Sequence, residues 1–216
     1  MNAPAHNAPG FAGVTYQDAL ARALDLVPRL RERAPRAEEE RVMLPETLAD
    51  LHRTGLLRVL QPKRWGGMEL DYVAYVDFSE MTARGCASTG WNVGNLLIHH
   101  WMLALYDERA QQEVWGENPE ALIASGIAYP QGSGKRVPGG ISLSGRWNFS
   151  SGVLVASKTL LALEASSSCR RLFAAAKSSA AFLSANSITS SEPTMPCPSS
   201  VKSGPVQTCC PANSFR

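Results

Sequence analysis

The segment GCASTGWNVGNLLIHHW, residues 85–101, brings two tryptophans, two asparagines and two adjacent histidines into one helical stretch. Ser88 or Thr89 can cap its start. One face of such a helix carries an aromatic ring, an amide, an imidazole and a thioether, those of Trp91, Asn95, His99 and Met102. That face could line a cavity for a flat aromatic ligand. The same periodicity also fits a buried amphipathic helix with one core histidine, so the surrounding sequence has to decide.

The surrounding sequence predicts a helical domain followed by a β region. Thr15 and Asp18 resemble a capping box at the start of a first helix. Three further helices are each marked by a residue that favours a helix start and a glycine that favours its end, namely Pro45 and Gly55, Asp71 and Gly85, and Asp107 and Gly116. After Pro119 the segments LIASGIAYP (122–130) and GGISLSGRWNFSSG (139–152) are short and β-compatible. The GSGK sequence at 132–135 lacks the earlier glycine and the Ser or Thr of a phosphate loop, so a turn is predicted there.

The composition changes near Gly152. Every Trp, Tyr, His and Asp precedes this glycine, whereas four of the five cysteines follow it, namely Cys169, Cys197, Cys209 and Cys210. The Ser-, Ala-, Pro- and Arg-rich remainder is unfavourable for a packed domain, although 154–165 and 172–183 could form short apolar helices. A shifted reading frame in a GC-rich gene would produce this mixture, and a genuine low-complexity tail is the alternative.

These observations predict four regions. They are a flexible N-terminus (1–14), a helical domain (15–118), a partial β-domain (119–152) and a low-complexity, frameshifted or disordered tail (153–216). If the tail does not fold, the hydrophobic core has to come from the first 152 residues.

Charge and hydropathy exclude several function classes. The net charge is +2 and the basic residues are scattered among acids, so no nucleic-acid partner is expected. The start lacks a signal-peptide pattern, and two histidines interrupt the most apolar run (96–106), so no membrane association is expected. Cys86 is the only cysteine before the tail, which fits a cytoplasmic location. Adjacent helical histidines cannot chelate one ion together, and no metal is expected.

Five motifs, in this order and spacing, carry a resemblance to a known family. They are RVLQPKRWGG (58–67), GCASTGWNVGNLLIHHW (85–101), DERAQQEVWG (107–116), ASGIAYPQGSG (124–134) and LSGRWNFSSG (143–152). Together they resemble the two-component flavin-dependent aromatic monooxygenases of the acyl-CoA dehydrogenase-like superfamily, the type of the 4-hydroxyphenylacetate and pigment-production hydroxylases. The resemblance implies an α+β fold: an all-α N-terminal domain and the start of a β-domain, with the C-terminal four-helix bundle missing.

The resemblance also implies an activity and a site. It implies an oxygenase component that hydroxylates a phenolic substrate with O2 and reduced FMN or FAD, which a separate flavin reductase supplies, and a homotetramer in full-length members. This chain is expected to be a truncated, inactive fragment. His99 would be the acid–base partner of the phenol, in a pocket with Trp91 and Asn95. The flavin would lie along Ser125, Trp147 and Ser150, with the Ser150 hydroxyl, a catalytic group, near flavin N5.

Two alternatives stay open. The acyl-CoA dehydrogenases proper share the fold. At the two flavin-facing positions they commonly carry a loop like Thr-Glu-Pro-Gly-Ala-Gly-Ser-Asp and a strand with Trp-Ile-Thr-Asn. This chain has AYPQGSGK and WNFSSG there. Those differences and the pocket histidine favour oxygenation over dehydrogenation. The alternative of another class is a non-catalytic helical interaction fragment.

Overall fold

The computed structural model describes residues 10–127, 132–137, 140–165, 172–177 and 188–190. Its helices are α1 (Tyr16–Glu40), α2 (Pro45–Thr54), α3 (Val73–Gly85), α4 (Ala87–Ala104) and α5 (Glu108–Gln111). Single turns of 3₁₀ helix span Leu56–Arg58 and Lys63–Trp65, and a π-helical turn spans Gln112–Gly116. The strands are β1 (Ile123–Gly126), β2 (Gly132–Val137), β3 (Gly140–Gly145), β4 (Lys158–Ala165), β5 (Leu172–Lys177) and β6 (Ile188–Ser190).

The predicted helix ends are confirmed by their hydrogen bonds. Thr15 and Asp18 form a reciprocal capping box at the start of α1. Gly55 ends α2 in the left-handed region at φ +76°, a conformation that glycine adopts without a Cβ penalty. The carboxylates of Asp71 and Asp107 accept backbone N–H groups two residues later, at the starts of α3 and α5.

The start of α4 differs from the prediction. Cys86, in an extended conformation, is the residue before the helix, and Ser88 and Thr89 lie inside the first turn rather than capping it. The reason is the tight α3–α4 corner, in which Cys86 alone separates the two helices. A Cβ on Gly85 would lie 2.5 Å from the Cβ of Leu30, so α1 packs against this corner at a distance that only glycine allows.

The helices bury a main core, and a smaller cluster joins them to the sheet. The main core lies between α1, α2, α3 and α4 and includes Leu26, Leu51, Phe78 and Leu97, each fully buried. The second cluster joins the end of α4 and the π-helical turn to β1 and β4, through Leu103, Val114, Trp115, Ala121, Ile123 and Leu160. This cluster places α4 directly against β1.

The sheet corrects two sequence expectations. Its order is β1-β4-β2-β3-β6, and β5 also pairs with β4. The GSGK segment is not a turn: it opens β2 and pairs antiparallel with β3, with Gly134 opposite Leu143. The short helices expected at 154–165 and 172–183 are wrong where the structure describes these segments, since β4 occupies 158–165, β5 occupies 172–177 and β4 runs parallel to β1. Residues 178–183 lie outside the described residues. Ladder hydrogen bonds and burial against β1 outweigh local propensity here.

Packed structure continues past the change in composition at Gly152. Ala156, Leu160 and Leu161 are each buried to more than 90%, and Val153 and Val155 pack against the main core. The expected tail boundary at 153 therefore falls inside a packed segment.

Residues 1–9 and the four late cysteines lie outside the described residues. In the part of the chain that the structure describes, no helix has the length and hydropathy needed to cross a bilayer.

Candidate functional site

His99 lies where α4 meets β1. The residue is only 4% exposed, and its Nδ1 is 2.9 Å from the carbonyl oxygen of Ile123, the first residue of β1. A carbonyl oxygen only accepts hydrogen bonds, so Nδ1 carries the proton and donates to it. Nε2 of the neutral ring then keeps its lone pair. The strand thus fixes which nitrogen of His99 can act as a base.

The protonation state of His99 agrees with that role. Burial lowers the pKa of His99 below its usual 6.5, and the Ile123 carbonyl opposes the shift only in part. The imidazole is therefore neutral at neutral pH and able to accept a proton.

Ser125 lies two residues beyond the carbonyl that holds His99. It is in β1, 8% exposed, and opposite Leu160 of β4. Because residues i and i+2 of a strand share a face, the side chains of Ser125 and Ile123 point to the same side of β1. Ser125 therefore lies in the strand whose Ile123 carbonyl holds His99, and its expected place along the flavin stays a prediction.

The predicted face of α4 runs from solvent to core. Trp91 is 68% exposed, Asn95 is partly buried and His99 is buried. The Asn95 side-chain amide donates to the Trp91 carbonyl at 2.8 Å, so this amide is bound to the helix itself. Their proposed contact with a substrate stays a prediction.

Ser150 lies in a bent turn, WNFSSG, between β3 and β4. Phe149 at φ +60° and Gly152 at φ +80° flank the serine pair. The Ser150 hydroxyl oxygen is buried and makes no hydrogen bond to any residue that the structure describes. A buried hydroxyl without a partner is unfavourable by roughly 1–3 kcal/mol, which marks this atom as one that a ligand could satisfy.

Trp147 packs between two strands. A Cβ on Gly126 would lie 2.7 Å from the Trp147 Cβ, and one on Gly132 would lie 2.3 Å from its Cζ2. Trp147 is 7% exposed, and its indole fills the space that these two glycines leave. Trp147 is therefore a packing residue of the β1–β2 region, and its expected place beside the flavin stays a prediction.

A cavity of about 650 Å³ lies between the end of α1, the start of α4 and the turn that holds Ser150. Representative lining residues are Ala37, Met43, Ser88, Asn92, Ser150 and Val153. Ser150 is the one predicted site residue among its lining residues. Sequence reasoning missed this cavity because its walls come from three segments, 34–43, 86–92 and 150–155, which share no sequence pattern.

Two buried polar residues next to the site were also missed. His100 is fully buried, its ring centroid lies 5.7 Å from that of Trp115, and its pKa is lowered to about 3 by burial, by Arg58 and by His99. Arg58 is 1% exposed, and its guanidinium donates to Gln61 Oε1 at 2.6 Å and to the Trp65 carbonyl at 2.7 Å. Arg58 thereby holds its own motif, RVLQPKRWGG, in a closed loop.

Within the described ranges, no three His, Cys, Asp or Glu side chains converge as a metal site.

Comparisons with known proteins confirm the resemblance. Residues 22–118 match the family of the acyl-CoA dehydrogenase N-terminal domain. The chain is 41% identical over 145 residues to "Flavin-dependent monooxygenase, oxygenase subunit HsaA" of Mycobacterium tuberculosis (strain ATCC 25618 / H37Rv), covering 67% of this chain and 36% of that protein. It is 37% identical over 122 residues to "FADH(2)-dependent resorcinol hydroxylase, oxygenase component" of Rhizobium sp. (strain MTP-10005), covering 56% and 30%.

The fold comparison agrees. The crystal structure of the M. tuberculosis HsaA monooxygenase superimposes with a TM-score of 0.68 at 38% identity, covering 75% of this chain and 44% of that one. The expected acyl-CoA dehydrogenase-like fold, a helical N-terminal domain followed by strands, is therefore confirmed. The chain spans about a third of the length of the curated relatives that it matches.

Proposed function

We propose that this chain, which carries an acyl-CoA dehydrogenase-type N-terminal domain, supplies the helical and strand portion of an oxygenase component that hydroxylates a phenolic substrate. The observation that supports this proposal most directly is the hydrogen bond from His99 Nδ1 to the Ile123 carbonyl. It leaves Nε2 of a neutral imidazole free to take the phenolic proton. A phenolate ring is a better nucleophile than a phenol, so this proton transfer favours attack by the ring on an activated oxygen atom.

The cofactor of the proposal is a reduced flavin, FMN or FAD. Reduced flavin, when bound, supplies the electrons that activate O2. The buried Ser150 hydroxyl, which has no partner among the described residues, fits a hydrogen bond to such a group, and Ser125 offers a second hydroxyl from β1. A relative's name includes FADH2, and its designation as an oxygenase component supports a separate reductase as partner of this chain. A homotetramer and a cytoplasmic location belong to the same proposal.

The remaining predicted residues serve the substrate side. Trp91 provides an aromatic surface and Asn95 an amide on the helix that carries His99. Both precede His99 on the same face of α4, Trp91 exposed and Asn95 partly buried, and the proposal is that a flat ring entering from solvent passes them first.

Turnover with defined substrates tests the proposal. A version of the chain in which the shifted reading frame of the tail is restored is supplied with a flavin reductase, NADH and either FMN or FAD, and O2 uptake and ring hydroxylation of resorcinol and p-hydroxyphenylacetate are measured. The chain as given is the comparison and, as a truncated fragment, is expected to be inactive. We expect hydroxylation that requires reduced flavin, and a loss of about 100-fold in His99→Gln, as for an acid–base group. His52→Gln, on α2, is the matched control and retains the rate.

Two outcomes contradict the proposal. Oxidation of an acyl-CoA with an electron acceptor, and no phenol turnover, would establish the acyl-CoA dehydrogenase alternative. No turnover and no flavin binding by the folded, frame-restored chain would leave the non-catalytic interaction fragment.

A further inference from the structure

A side-chain hydrogen bond attaches the turn that contains Ser150 to α4. The Trp91 indole N–H donates to the hydroxyl of Ser151 at 2.9 Å, joining residues 60 positions apart. Gly152 approaches the same helix, because a Cβ there would lie 3.1 Å from Leu96 Cδ2. The turn therefore rests on the stretch of α4 that begins at Trp91.

The hydrogen bond matters because the Trp91 ring has little else to hold it. The residue is 68% exposed, so packing restrains its two side-chain torsions weakly. An indole N–H is a donor only, and the Ser151 oxygen fixes the direction in which that edge points. The opposite ring edge is then turned toward solvent in one preferred orientation.

We infer that Ser151 is a positioning residue that holds the Trp91 indole against the turn carrying Ser150. This inference rests on the proposed function, in which Trp91 meets the aromatic substrate and Ser150 meets the flavin. Through Ser151, the substrate-facing helix and the flavin-facing turn keep one relative placement. Ser151 itself touches neither ligand.

The size of the effect follows from one partly exposed hydrogen bond. Such a bond contributes a net factor of about three- to tenfold to an equilibrium. Without it the indole samples several rotamers, and an aromatic substrate has to select the correct one on binding. KM for the phenol then rises by that factor, while kcat, which depends on His99, changes by less than about twofold.

The experiment compares Ser151→Ala with Ser151→Thr, which keeps the hydroxyl, and with Ser144→Ala, an exposed serine of β3, as the matched control. The indole N–H signal of Trp91, assigned through Trp91→Phe in ¹⁵N-tryptophan protein, reports the hydrogen bond directly. In Ser151→Ala we expect this signal to move upfield and to exchange faster with solvent. We expect Ser151→Thr and Ser144→Ala to match the wild type, both in this signal and in KM.

The two proposals fail in different ways. An indole signal unaffected by Ser151→Ala, a KM unchanged in an active Ser151→Ala enzyme, or no rescue by Ser151→Thr overturns the positioning role. The positioning role is also overturned if the effects of Ser151→Ala and Trp91→Phe on KM add in the double variant, because the effects of two coupled residues are not additive. A frame-restored chain without substitutions that hydroxylates no phenol refutes the proposed function instead. The indole signal then decides the placement of the ring by itself.

Discussion

Acidification should destabilise this fold through His100, and the structure allows the size of the effect to be worked out. The His100 imidazole is fully buried, and its pKa falls from the usual 6.5 to about 3 because burial, Arg58, His99 and His52 all disfavour its charged form. The nearby Ala121 carbonyl favours the charged form but does not offset them. The folded protein therefore keeps His100 neutral at pH values where the unfolded chain protonates it.

The sign follows from proton linkage. Between pH 6.5 and pH 3 the unfolded state binds a proton that the folded state does not, so stability is present above pH 6.5 and is lost as the pH falls through this window. From pH 7 to pH 5 the loss assigned to His100 is about 2 kcal/mol. For a chain of this size, that corresponds to a decrease in Tm of roughly 4–8 °C.

Urea unfolding at pH 7 and pH 5 measures this loss, with His100→Leu as the test variant. Leucine removes the titrating group and two nitrogens that have no hydrogen-bond partner among the described residues, at similar volume. We expect the decrease in the free energy of unfolding between the two pH values to be about 2 kcal/mol smaller in His100→Leu than in the wild type. His52 and His99, whose pKa values are also lowered, titrate in both proteins and cancel. Equal pH dependence in the two proteins would refute this reasoning.

Three further predictions concern the sheet, α2 and the gene. Gly132→Ala should lower the free energy of unfolding by about 1–3 kcal/mol, because the added Cβ would overlap the Trp147 ring. Gly13→Ala is the control, since the space around Gly13 is open, and equal denaturation midpoints of the two variants would contradict the packing. Asp50→Asn should lower Tm more than Asp25→Asn. Asp50 is nearly buried and forms ion pairs with Arg29, Arg33 and Arg53, whereas Asp25 is exposed. A larger decrease in Tm for Asp25→Asn would refute this prediction. If the tail arises from a shifted frame, sequencing of the coding DNA should show the shift downstream of codon 161, since Leu160 and Leu161 are packed in β4; two closed alternative frames there would rule out the shift.

Local signals in the sequence predicted the helices well. The capping box at Thr15, the glycine that ends α2 and the carboxylates before α3 and α5 act within a few residues of their own position. Their effect therefore does not depend on the rest of the fold. The ordered motifs were similarly informative, because five of them in register identify a family that no single motif identifies.

The strands and the site depended on contacts between distant segments. GSGK became a strand because β3 pairs with it, and β4 formed because β1 offered its backbone hydrogen bonds. The sequence marked His99 as a candidate, but only the Ile123 carbonyl, 24 residues away, determines which of its nitrogens is free. The bond between Trp91 and Ser151 has no signature in the sequence at all. Periodicity and capping act over a few residues, so the sequence alone determined the helices, whereas pairing, burial and tautomer depend on which distant backbone groups the folded chain brings within hydrogen-bonding distance.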